Sequence, residues 1–139
     1  MSTNAAVGEP GELVWVSIFN SLENRSAAGK ARPGILVDRQ GGQWRTMGLT
    51  TNATYRDGSP RVAIPNPAVV GLRGPGFLWG DRLTLAAAID IGDHVGWVDR
   101  ALVNAIIALA RLDADTAQRL RRSAELHHPE AAGGTPDVA

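Results

Sequence analysis

The chain contains no cysteine among its 139 residues. Disulfide scaffolds, thiolate nucleophiles and Cys-ligated metal sites are therefore excluded, and a cytoplasmic location fits that absence. Aromatic residues are scarce, with four Trp, two Phe and one Tyr. Lysine is nearly missing: Lys30 is the only one, and every other cation is Arg. That bias fits a GC-rich coding sequence. It also fits local phosphate sites, because Arg grips phosphate with a two-pronged fork and stacks on bases. Charge of one sign is lacking as well. Fourteen Lys and Arg balance fourteen Asp and Glu, so there is no overall electrostatic footprint for nucleic acid. The longest apolar runs, such as Ala101–Ala110, are far shorter than a membrane span. Met1–Pro10 lacks the basic start and apolar stretch of a signal peptide.

What is present points to one small globular domain. The length favours a single core, and 44% hydrophobic residues with 20% charged residues are ordinary for a soluble protein. Residues 1–10 are small and polar and read as a flexible N-terminus, with the domain expected over 11–127. Glu12–Phe19 reads as a first strand of β-branched and aromatic residues. A polar loop, Asn20–Ala31, carries Arg25 and Lys30. Arg32–Asp38 is a second strand, with Pro33 tolerated only near a strand start or edge. Gln40-Gly41-Gly42 is a hairpin turn, so Gln43–Thr51 should pair antiparallel with the second strand. That pairing brings Arg32 and the Thr50-Thr51 end to one rim.

Another loop, Asn52–Pro60, carries Arg56 and turns at Asp57-Gly58. Further strand material is expected at Arg61–Pro65, Phe77–Leu83, Leu85–Ile89 and His94–Val98. Asp99 reads as a helix N-cap, followed by Leu102, Ile106 and Leu109 at helical spacing. Asp113 to Thr116 offers a cap for a second helix ending near His127. Residues 128–139 are rich in Pro, Gly and Ala and read as a disordered tail. Five to seven short antiparallel strands followed by helix predict a mainly β fold, a small barrel with a C-terminal helix.

The ordered set of segments resembles the MazF/PemK toxin family. Gly11-Glu12-Leu13-Val14-Trp15-Val16 is similar to the family's opening strand. Arg32-Pro33 before an apolar strand, Leu49-Thr50-Thr51 at the end of the next, and a late Ile89-Asp90 follow in the family's order. Val95-Gly96-Trp97-Val98-Asp99 then leads into helix, so the resemblance spans roughly 11–112. It implies an SH3-like barrel, usually a homodimer, that cleaves single-stranded RNA as the toxin of a type II toxin–antitoxin pair. It carries the catalytic roles to Arg32 and Thr50, needs no cofactor or metal, and implies a cognate antitoxin partner and no membrane. Many members have an Arg just before the late Ile-Asp; here Leu85-Ala86-Ala87-Ala88 carries no cation. A related toxin group, the CcdB-like gyrase poisons, and a non-catalytic binding barrel are the alternatives.

RNA cleavage by its own 2′-OH suits these residues. A guanidinium at Arg32 can hold two phosphate oxygens and favour the charge that builds on them. Thr50 can place the phosphate or the hydroxyl. Arg25, Lys30, Thr51 and Arg56 are candidates for flanking RNA contacts. Each of these also has a plain reading, as a solvated loop cation or a strand threonine. Trp15 and Trp44 read as core. Trp79, among Gly and polar neighbours, is the best candidate for an exposed aromatic.

Overall fold

The computed structural model describes residues 8–18 and 30–129, with the side chains of Ile18 and Lys30 left aside. Six strands and two helices run in chain order. They are β1 (Glu12–Ile18), β2 (Lys30–Gln40), β3 (Gln43–Thr50), β4 (Phe77–Leu78), β5 (Thr84–Ala87), β6 (Ile91–Trp97), α1 (Arg100–Ala110) and α2 (Ala114–His127). The sheet is antiparallel in the order β4-β3-β2-β1-β6, with β5 also pairing along β3. This is the expected mainly β architecture with helix at the C-terminal side.

The β2–β3 hairpin forms where the sequence turns at Gly41, whose φ of 64° is open to glycine. Its ladder pairs Gln40 with Gln43 and runs to Gly34 opposite Gly48, with a bulge between Leu36 and Asp38. Strand alternation sends the two faces to two apolar clusters. Leu13, Ile35, Val37, Met47 and Leu49 face α1 and α2, packing on Leu102, Val103, Ile106 and Leu120. Val14, Val16, Leu36, Trp44 and Ala86 form a smaller cluster on the other face.

Both helix starts are capped as their sequence predicts. Asp99 accepts from the Leu102 amide at 3.0 Å, and Asp113 accepts from the Thr116 amide at 3.2 Å. The Thr116 amide and hydroxyl together hold the Asp113 carboxyl below the usual carboxylate range. Arg45 grips Asp38 with two 2.7 Å bonds, and the Thr116 hydroxyl sits 3.5 Å from the same carboxylate, tying α2 to the hairpin. The Asp38 carboxylate pushes the Arg45 guanidinium above its ordinary value. At one crossing the loop before β4 touches β6 backbone to backbone: a Cβ on Gly96 would overlap the Val70 carbonyl.

Several expected elements differ. Arg61–Pro65 is not a strand but an extended loop touching β4 through a single bridge, Ala63 to Phe77. Val62 and Ala63 stay exposed because only Ile64 turns into the core. Phe77–Leu83 contributes two strand residues, not seven. Leu85–Ile89 becomes β5 followed by a 3-10 turn at Ala88–Asp90, which leaves Ile89 almost fully exposed. The expected strand at His94–Val98 starts earlier, at Ile91. Trp44 is core, but Trp15 is 43% exposed, because it lies opposite Pro33 beyond the rim of the main cluster.

Candidate functional site

Arg32 and Thr50 reach one sheet face by register. The β2–β3 ladder ends at Gly34 opposite Gly48, and Arg32 and Thr50 each lie two residues beyond that pair. Arg32, Gly34 and Leu36 alternate onto the face that Thr46, Gly48 and Thr50 share. Arg32 is half-buried, and among the described residues no carboxylate forms an ion pair with it. Thr50 is buried, and its hydroxyl accepts the Asn52 amide at 3.1 Å. That bond turns the chain out of β3 and fixes the hydroxyl oxygen at the strand end.

Trp79 joins them. Its amide donates to the Gly48 carbonyl at 2.8 Å. Gly48 has no side chain, and a Cβ there would lie 3.3 Å from the Trp79 Cβ, so the indole sits over the bare backbone. The Arg32 guanidinium carbon is 5.8 Å from the Trp79 ring centroid, within cation–π range. The ring remains 47% exposed, as the sequence suggested.

Arg61 is the residue that sequence reading missed. Its Nε donates to the Trp79 carbonyl at 2.9 Å, and its Nη1 donates to the carbonyls of Asn52 and Thr54 at 3.2 and 2.7 Å. Its guanidinium carbon lies 4.8 Å from the Trp79 ring and 4.7 Å from the Tyr55 ring. One side chain thus fastens the loop after β3 to the end of β4. The Tyr55, Arg61 and Trp79 contacts form one stack.

The other candidate residues are less engaged. Thr51 is exposed just past β3. Arg56 is exposed on the turn that Tyr55 and Ser59 close, where Ser59 holds the Asp57 carboxyl below the usual range. It takes no part in the Arg32, Trp79 and Arg61 contacts. Arg25 lies outside the described residues, and of Lys30 only the backbone, at the start of β2, is described. β5 carries no cation, in line with its sequence; the second guanidinium at the site comes from Arg61 instead.

The histidines gather elsewhere. Nδ1 of His94 donates to Glu12 at 2.7 Å, His127 stacks on Trp97 with centroids 3.6 Å apart, and Nε2 of His128 donates to the Trp97 carbonyl. Burial, then neighbouring His128, pushes the His127 imidazole below its ordinary value. Among the described residues there is no cluster of His, Asp and Glu suited to a metal ion, and no helix long and apolar enough to cross a membrane.

No family model matches the chain, and no curated protein does. Solved structures do match. The chain is similar to the Mycobacterium tuberculosis toxin MazF-mt6, at 21% identity over 72% of this chain and 97% of that one, with a TM-score of 0.47. It is also similar to an endoribonuclease solved in complex with its cognate antitoxin, from a mycobacterial species. There the identity is 16% over 73% of this chain and 88% of that one, with a TM-score of 0.50. The chain has the fold of that endoribonuclease. The mainly β architecture with helices at its C-terminal side is the one expected from the sequence.

Proposed function

We propose that this chain is the toxin of a toxin–antitoxin pair, a metal-independent endoribonuclease acting on single-stranded RNA. The observation that supports it most is the placement of Arg32 and Thr50 two residues beyond the Gly34–Gly48 pair, with no carboxylate among the described residues forming an ion pair with Arg32. The 2′-oxygen of one nucleotide attacks the adjacent phosphorus. The bond from phosphorus to the 5′-oxygen breaks, and the proton lost from the 2′-OH is balanced by one gained on that leaving oxygen. The products are a 2′,3′-cyclic phosphate and a 5′-OH.

Arg32 binds the non-bridging oxygens and stabilises the charge that grows on them. Thr50, its oxygen fixed by the Asn52 amide, places the phosphate or the attacking hydroxyl. A threonine hydroxyl is too weak an acid to act as general base near neutral pH. The histidines, grouped around Trp97, supply no acid–base couple on this face. Slow turnover resting on positioning and electrostatics follows. Arg25, Lys30, Thr51 and Arg56 would contact the flanking RNA backbone. In this reading the working unit is residues 11–127, acting in the cytoplasm as a homodimer restrained by its antitoxin. End-group analysis of RNA incubated with the purified chain in EDTA tests it. Fragments ending in 2′,3′-cyclic phosphate support the reading, whereas intact RNA, or fragments with 5′-phosphate, oppose it.

A further inference from the structure

We infer that the exposed indole of Trp79 is a nucleobase platform, stacking one base of the bound strand beside the phosphate at Arg32. The inference rests on the nuclease reading for its ligand and extends it to a residue outside the catalytic pair.

Trp79 is exposed yet rigid. Its amide is held by Gly48, its Cβ rests over the same glycine, and its carbonyl is held by Arg61. A ring fixed in advance loses little freedom when it stacks, so more of the stacking energy appears as affinity. The Arg61 guanidinium, pinned by three carbonyls, lies 4.8 Å from the indole centroid and 4.7 Å from that of Tyr55. Arg32 is tied differently. It lies 5.8 Å from the ring, and among the described residues no hydrogen bond to its guanidinium accompanies that contact. Its guanidinium stands beside the ring, where the phosphate next to a stacked base would lie.

The surroundings favour a nucleotide over a protein side chain. The indole is flanked by two guanidiniums and the Thr50 strand end rather than by an apolar rim. Cations beside an aromatic face match a phosphate beside a base. Because every base has a flat face, the platform sets affinity and the placement of the strand more than base identity.

The test is titration of the full chain with a short randomised single-stranded 2′-fluoro RNA, which lacks the attacking hydroxyl and reports binding alone. Trp79→Leu is expected to weaken binding about ten-fold or more, while Trp79→Phe keeps it within a few-fold. Binding should also quench indole fluorescence in the wild type and not in Trp79→Phe, a readout that stands even if the Leu variant misfolds. Wild-type affinity in Trp79→Leu, quenching that persists in Trp79→Phe, or no binding by the wild type overturns the platform. Cleavage that needs Arg32 but ignores Trp79→Leu overturns the platform and leaves the nuclease reading. Binding that needs Trp79 without cleavage of unmodified RNA does the reverse.

Discussion

The guanidinium carbon of Arg32 lies 5.8 Å from the ring centroid of Trp79, although β2, which carries Arg32, and β4, which ends one residue before Trp79, never pair. β3 joins them. Arg32 lies on β2 two residues past the Gly34–Gly48 pair, and Trp79 is bonded to the Gly48 carbonyl. The candidate site is therefore built on one strand, and changes to that strand should alter the site before they alter the fold.

Thr50→Val should lower cleavage more than it lowers stability. It removes the acceptor for the Asn52 amide, which costs about 1 kcal/mol. It also removes the oxygen that would place the phosphate. Thr50→Ser keeps both. Single-turnover rates and thermal melts of the two variants separate these effects.

Gly48→Val should disable the site with the core intact. A side chain at this position meets the Trp79 Cβ, and the larger one pushes the indole off the strand. Loss of oligonucleotide binding with a nearly unchanged melting curve is expected. By contrast, Gly96→Ala drives a Cβ into the Val70 carbonyl and should cost about 3 kcal/mol, read by denaturant unfolding.

Asp38→Asn should loosen α2 while leaving the Arg32 face in place. It weakens the two 2.7 Å bonds from Arg45 and the Thr116 contact at the start of α2. A loss of about 2 kcal/mol is expected from the chemical unfolding curve, because Arg45 is only partly buried.

Acid should destabilise the Trp97 corner. Burial, His128 and His94 lower the His127 value, while Glu9 and Glu12 oppose them, and the net direction is downward. The unfolded chain then takes up a proton more readily than the folded one. This contribution to stability is complete above the ordinary imidazole value near 6.5 and is lost as pH falls below it toward the folded value. Melting temperature should fall between about pH 7 and about pH 5, and His127→Phe should flatten that fall.

Much of the fold was legible because local chemistry agreed with it. The Gly41-Gly42 turn fixed the β2–β3 hairpin, and Asp99 and Asp113 marked both helix starts through the amides they cap. Arg61–Pro65 misled because Val62, Ala63 and Ile64 look like strand, yet the segment makes only one bridge to β4 and is held by a few backbone bonds together with the Arg61 side chain. Arg32 and Thr50 were legible through the order of segments around them. Arg61 was not, because its three partners are carbonyls, and a backbone carbonyl leaves no mark in sequence. The departure at Trp15 has the same root: alternation gave its face, but not where the core ends along β1.

The rate at which the purified chain cleaves a long mixed single-stranded RNA in EDTA, set beside that of Arg32→Ala, tests the central claim most directly. The account predicts cleavage by the wild type and a loss of about 100-fold or more in a folded Arg32→Ala variant. RNA left intact by the folded wild type, or cut equally by both, contradicts it.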